Sequence, residues 1–128
     1  MNGPALLIGV PSHGAEVPYS RRQSIRSLSG ARDSLRLLLR FVLADDQQDL
    51  PDLAAGDLWQ FKLPPNRRAR KNYGLEKWLL CDAFMRRAVR TAVPGISPSR
   101  FYDFIALADD DTLYHAPSLV CLSTHQPV

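Results

Sequence analysis

Cysteine is scarce in this chain, which has only Cys81 and Cys121 among its 128 residues. Two cysteines at this separation form neither the disulfide framework of a small secreted domain nor a known zinc-binding spacing. The chain also lacks a run of the roughly 18 apolar residues that a membrane-spanning helix needs. It has no glycine-rich phosphate loop of the Walker or dinucleotide type. The sequence therefore favours a domain that folds on a hydrophobic core alone.

Charge of one sign is not strongly in excess either. The chain has 16 Lys and Arg against 13 Asp and Glu, a formal net charge of +3, so we expect no nucleic-acid partner. Arginine is nevertheless concentrated between residues 21 and 40, where Asp33 is the only acid, and again between residues 67 and 71. With 45% hydrophobic and 23% charged residues, the composition predicts one globular domain over residues 1–128.

Short apolar runs separated by helical or loop segments predict an α/β fold, an open sheet with flanking helices. We expect strands at Ala5–Val10 and Leu37–Leu43 and a weaker third strand within Asp57–Leu63. The fourth, Phe101–Ala108, is apolar on both faces in its second half, as a central parallel strand is. A short amphipathic helix is expected over Ser20–Ser29.

Residues 74–92 have the clearest helical period. Its predicted apolar face consists of Trp78, Cys81, Met85, Ala88 and Ala92, with a charged stripe of Asp82, Arg86 and Arg90 opposite. Pro94-Gly95 is expected to end the helix. Lys77 falls at the margin of the apolar face, where a lysine either extends its ammonium group to water or reaches a buried anion.

Three consecutive carboxylates follow the fourth predicted strand. Asp109, Asp110 and Asp111 repel one another unless water or a cation screens them. In extended backbone Asp109 and Asp111 share one face, and an oxygen-only ligand set suits magnesium or manganese. The alternative is a solvated acidic turn.

Arginines follow the loop after the first predicted strand. Arg21, Arg22 and Arg26 lie where an anion bound at the carboxyl ends of the strands would meet them, as in a diphosphate site. The alternative is a solvated helix face. His13 and His115 are single histidines on expected loops, and we assign them no role.

Several separated segments together resemble the beta-1,3-galactosyltransferase family, glycosyltransferase family 31. Arg21–Ser27 (RRQSIRS) resembles its RR-x-x-I-R-x segment, and Phe41–Ala44 is similar to its second strand. Tyr73–Lys77 lies where members have N-L-x-x-K at the start of a long helix. Phe104–Leu113 (FIALADDDTL) resembles the strand with the D-D-D-x-F-V metal motif, and Ala116–Val120 resembles the helix start behind it.

That resemblance implies a GT-A-like fold and a metal-dependent hexosyltransferase. Such an enzyme moves galactose or N-acetylglucosamine from UDP-galactose or UDP-N-acetylglucosamine to a glycan acceptor. Asp109 and Asp111 take the position of the family's D-x-D motif, which holds manganese on the UDP diphosphate. The resemblance further suggests a phosphate or base contact for Arg22 or Arg26 and a site-supporting role for Lys77.

The resemblance also implies what the rest of such a protein contains. Family members invert the transferred sugar by direct displacement, and their general base lies well downstream of the metal motif. Because this sequence ends at Val128, we expect it to hold the donor-binding half only. Members are anchored in the Golgi membrane with the catalytic domain in the lumen, so we expect the same location and an anchor for a full-length protein.

Two other functions are open at this point. Asp109-x-Asp111-x-Leu113 approximates the D-x-D-x-T/V nucleophile motif of haloacid-dehalogenase-like phosphatases. A non-catalytic basic module built from Arg21–Arg40 and Arg67–Lys71 would instead bind anionic partners by charge alone.

Overall fold

The computed structural model describes residues 4–13, 16–28, 37–46, 50–64 and 73–109. Their elements in chain order are β1 (Leu6–Pro11), α1 (Glu16–Leu28), β2 (Leu37–Ala44), a short 3-10 turn (Leu53–Ala55), β3 (Leu58–Phe61), α2 (Tyr73–Ala88) and β4 (Phe104–Leu107). Neither helix in these ranges is long and apolar enough to cross a membrane.

The four strands form one parallel sheet in the order β3-β2-β1-β4. β1 pairs with β2 from Leu6 opposite Leu37, and with β4 from Leu6 opposite Phe104. The chain thus builds outward from β1 through β2 to β3 and then returns to the other side of β1 for β4. The α/β fold is confirmed, and the point where the strand order reverses lies between β1 and β4.

Both faces of the sheet are buried. On one face Leu7, Leu38 and Val42 pack with Leu80 and Phe84 of α2. The opposite face contributes Ile8, Val10, Phe41 and Leu43, which pack with Ile25 of α1. Alternate residues of a strand point to opposite faces, so the apolar run of β1 and that of β2, which only Arg40 interrupts, are what a sheet buried on both sides requires.

The buried face of α2 matches the predicted one at Ala88, which is fully buried, but not at Trp78 and Met85. Trp78 is 64% exposed and Met85 is also exposed, whereas Leu80 and Phe84 are buried in the core. Both stripes have helical spacing, so periodicity alone could not separate them. The stripe that contains Phe84 packs against the sheet. The Phe84 ring lies over Gly9, and its centroid is 5.6 Å from that of Trp59.

Other features of α2 agree in part with the prediction. Arg86 Nε lies 3.1 Å from Asp82 Oδ2 on the exposed side, which confirms that part of the charged stripe. The helix ends at Ala88, earlier than the expected boundary at Pro94-Gly95. Arg90 N–H donates to the Arg87 carbonyl and Thr91 N–H to the Ala88 carbonyl, so the chain tightens into 3-10-type bonds there.

β1 and β2 lie within one residue of their predicted limits and β3 lies inside its predicted range, whereas α1 and β4 depart from theirs. α1 begins at Glu16 rather than Ser20, and β4 is only Phe104–Leu107. Within the described residues β4 is an edge strand that pairs with β1 alone, and Phe104 and Leu107 are partly exposed. Its apolar pattern therefore predicted the strand but not its place in this sheet.

Gly9 generates the first prediction. A Cβ at Gly9 would lie 2.7 Å from the Phe84 ring, so Gly9→Ala should lower the free energy of unfolding by about 1–3 kcal/mol through overpacking. Urea denaturation measures the loss. Gly74→Ala is the matched control, because a Cβ at that position meets nothing within 4 Å and the helix favours alanine. Equal effects at both glycines would contradict the packing argument.

Candidate functional site

A cleft opens at the carboxyl end of β1, where the first turns of α2 pass over the sheet edge. It is lined by Pro11, Ser12, His13, Glu76, Lys77 and Leu80, and its empty space of about 210 Å³ includes open solvent. Because α2 follows β3 and leads back to β4, this cleft lies beside the point where the strand order reverses. In open parallel sheets that point is where ligands bind.

Lys77 and Asp109 meet at this cleft. Lys77 is in the second turn of α2, and Asp109 comes two residues after β4. The Lys77 ammonium nitrogen donates to Asp109 Oδ1 at 2.5 Å. The backbone supports this position, since Ala108 N–H donates to the Gly9 carbonyl and keeps the chain beside β1. Two residues that the sequence singled out separately are thus in direct contact.

Packing in the core fixes the position of Lys77 at the carboxyl end of β1. Phe84 lies against Gly9, and Leu80, one turn earlier, is buried and lines the cleft. Lys77 is about two helical turns before Phe84. The packing of Phe84 on Gly9 therefore fixes the position of α2 along β1, and with it the position of the Lys77 ammonium group. The contact with Asp109 therefore follows from the fit of α2 on the sheet.

Asp109 offers a carboxylate suited to a hard divalent cation. Its side chain is 59% exposed, and magnesium and manganese are commonly held by one or two carboxylates with water and substrate phosphates. In the part of the chain that the structure describes, no group of three His, Cys, Asp or Glu residues could enclose a metal. Asp110 and Asp111 lie outside the described residues, so a metal site on Asp109 and Asp111 stays a prediction.

Arg22 lies in the interior, where its guanidinium group is fully buried. Nε and Nη2 donate to the two carboxylate oxygens of Asp52 at 2.7 and 2.9 Å. Nη1 donates to Ser12 Oγ and to the His13 carbonyl, both at 2.8 Å. All four hydrogen bonds are made within the protein, and the two from Nη1 go to residues that line the cleft.

Arg26 extends the same network. Its Nε and Nη2 donate to the carboxylate of Asp57 at 2.8 and 2.7 Å, and Nη2 also donates to Asp52 at 2.9 Å. The guanidinium carbon lies 4.9 Å from the centroid of the Phe41 ring. Arg22 and Arg26 therefore join α1 to the segment between β2 and β3. Their predicted contact with a nucleotide remains a prediction, and the geometry gives both a structural role.

The network shifts the ionisation of its members. Burial alone would raise the pKa of Asp52, but hydrogen bonds and charge from Arg22 and Arg26 outweigh burial and lower that pKa from 3.8 to about 2. Burial acts to lower the pKa of Arg26, whereas its contacts with Asp57 and Asp52 give a net increase. Both shifts favour the charged forms, so the network is stable as ions.

Sequence reasoning missed several residues of this region. Asp52 and Asp57, the partners of the arginines, stand in a loop and at a strand start where no periodic signal marks them. Ser12 and His13 carried a usable signal, because they follow β1 directly and the carboxyl ends of parallel strands form the ligand edge. Glu76 also lines the cleft, and no motif or spacing marks it in the sequence.

Comparisons with protein-family models, curated proteins and solved structures gave no match. The site is therefore interpreted from its own residues and from the sequence motifs.

The buried arginine generates the second prediction. Arg22→Met leaves the Asp52 carboxylate buried without its main partner, so the free energy of unfolding should fall by about 3–5 kcal/mol. Arg86→Met, which breaks the exposed pair with Asp82, should change it by less than about 1 kcal/mol. Urea denaturation compares the two. If Arg22→Met does not fold, Arg22→Lys tests the same point, since it keeps the charge but loses the bidentate geometry. A loss at position 22 no larger than at Arg86 would contradict this role.

A pH series gives the third prediction. Because the folded-state pKa of Asp52 is lowered to about 2, its contribution to stability is complete above about pH 4–5 and declines as pH falls toward 2. The difference in unfolding free energy between wild type and Asp52→Asn should therefore shrink over that interval. Asp82→Asn, at the exposed pair, should differ little from wild type throughout. A difference for Asp52→Asn that stays constant from pH 5 to pH 2 would contradict the assignment.

Proposed function

We propose that this chain is the nucleotide-sugar-binding part of a metal-dependent hexosyltransferase resembling the beta-1,3-galactosyltransferase family. The observation that carries the proposal is the meeting of Lys77 with Asp109 beside the cleft at the end of β1. Both residues belong to segments that resemble separate family motifs, and they are 32 positions apart in sequence. A carboxylate and an ammonium group that meet at a ligand-binding edge are what a site for a metal-bound diphosphate needs.

The sheet supports the same proposal. A parallel sheet in the order β3-β2-β1-β4 is compatible with the nucleotide-binding half of a GT-A-like domain. The Asp109 segment follows β4 directly, so its carboxylate is at the edge where the cleft opens. A GT-A-like fold for the whole protein is part of the proposal.

The residues at the cleft divide the work of binding a UDP-sugar. Asp109, together with Asp111, would hold manganese, which when bound stabilises the negative charge that develops on the UDP leaving group. Lys77 provides a positive charge next to the diphosphate position. Ser12 Oγ accepts a hydrogen bond from Arg22, which leaves its own hydrogen for the ligand. Leu80 gives the cleft an apolar floor.

Sugar transfer itself needs further groups. The acceptor hydroxyl must lose its proton to a base as it attacks, and no described residue is assigned that role. The proposal places the base downstream, together with the site for the glycan acceptor. Residence in the Golgi lumen with a membrane anchor belongs to the same proposal.

The basic anion-binding module receives less support. Arg22 and Arg26, central to the first arginine cluster, bind Asp52 and Asp57, and Arg22 is buried. They are therefore not part of an accessible basic surface, whereas Arg67–Lys71, the second part of that module, lies outside the described residues. For the phosphatase alternative, which would use Asp109 as a nucleophile, no contact in the described residues favours that role over metal binding.

Calorimetric titration with UDP, with and without manganese, gives the fourth prediction. Wild type should bind UDP only when manganese is present, and the double variant Asp109→Asn, Asp111→Asn should lose this binding. Asp82→Asn is the matched control, since it removes an exposed carboxylate from the far side of α2. The proposal fails if the folded wild type does not bind UDP, or if the double variant binds it equally well.

A further inference from the structure

The contact between Lys77 and Asp109 joins two groups that a bound metal nucleotide would need separately. The side chains are 45% and 59% exposed, so solvent weakens their attraction and the pair adds little stability to the fold. Lys77 also lines the cleft. A lysine has a long, flexible side chain with three donors and can turn toward a second acceptor without movement of α2.

We propose that Lys77 is an exchangeable counter-ion, which pairs with Asp109 in the empty site and transfers to the ligand's phosphates when Asp109 takes a divalent cation. This inference rests on the proposed function and adds to it a rule for the order and coupling of binding. In the empty site Lys77 neutralises Asp109. In the loaded site Asp109 faces the cation, and Lys77 neutralises a phosphate.

Charge balance explains why the exchange couples the two ligands. A divalent cation that arrives alone competes with Lys77 for Asp109 and offers the ammonium group nothing in exchange for that ion pair. When a diphosphate arrives with the cation, Lys77 gains a new partner as it releases the carboxylate. Metal and nucleotide should therefore increase each other's affinity, and the increase must be equal in both directions.

Lys77→Met separates this exchange from simpler roles, because the methionine side chain keeps the apolar stem and removes the charge. The affinity for Mn²⁺ alone, followed by electron paramagnetic resonance of the free ion, should become about two- to fivefold tighter, as expected for loss of an exposed competing pair. The affinity for UDP at saturating Mn²⁺, measured by calorimetry, should become weaker by a similar factor or more. Opposite changes in the two affinities are the expected signature.

Lys62→Met is the matched control. Lys62 is an exposed lysine directly after β3, at the same edge of the sheet but two strands away from β1. It removes the same unit of charge without touching Asp109 or the cleft. Neither affinity should change measurably in this variant, and circular dichroism would verify that both variants fold like wild type.

Each other outcome overturns a defined part of the argument. If Lys77→Met tightens both affinities, Lys77 only repels the cation and does not transfer to phosphate. If it weakens UDP binding and leaves Mn²⁺ binding unchanged, Lys77 binds phosphate without competing at Asp109. Either result removes the exchange and leaves the proposed function standing. If wild type binds no UDP with manganese present, the proposed function fails and the exchange fails with it.

Discussion

The buried guanidinium of Arg22 connects three parts of this fold. It joins α1 to Asp52 in the segment between β2 and β3, and it holds Ser12 and the His13 carbonyl at the end of β1. A buried ion pair is weak evidence for net stability, because desolvation offsets much of the attraction. What it provides here is position. Three segments that are distant in sequence must be in register before all four hydrogen bonds can form, and two of those bonds shape the wall of the cleft.

Interior and exposed ion pairs have different roles in this chain. Arg22 and Arg26 with Asp52 and Asp57 fix the backbone around the sheet edge. The exposed pair of Lys77 and Asp109 stands on that fixed frame and is easily broken. A rigid support beneath a labile charge pair is what a binding site for a charged ligand requires, and here the two kinds of pair lie on opposite sides of the β1 terminus.

Local patterns in the sequence predicted the strands more reliably than the partners of charged residues. The apolar runs of β1 and β2 have no competing interpretation, because each needs burial on both faces. The Asp109 position also followed from local sequence, since a carboxylate directly after a parallel strand must lie at the ligand edge. The position of Lys77 at the margin of the apolar face predicts contact with water or with a buried anion; in the structure it binds Asp109, an anion that is not buried.

Two sets of contacts could not be predicted, for a common reason. α2 has two stripes at helical spacing, and only the tertiary fit of Phe84 over Gly9 decides between them. Arg22 and Arg26 have the composition of an anion site, and in the structure they bind the chain's own Asp52 and Asp57. Periodicity identifies neither the packing of Phe84 on Gly9 nor the partners of the arginines, because both depend on contacts between segments about 30 residues or more apart.

Because α2 buries the stripe with Phe84 and exposes Trp78, the protein has two tryptophans in different environments. Trp59 is 7% exposed and lies beneath the Arg87 guanidinium at 4.0 Å from its ring centroid, whereas Trp78 is 64% exposed. The two indoles should differ in emission wavelength and in access to an ionic quencher. Trp78 directly follows Lys77, so the red-shifted, quenchable emission comes from the helical turn that carries Lys77. The fold thus contains one intrinsic fluorophore on the outer side of α2 and a second one in the core, with spectra that can be separated.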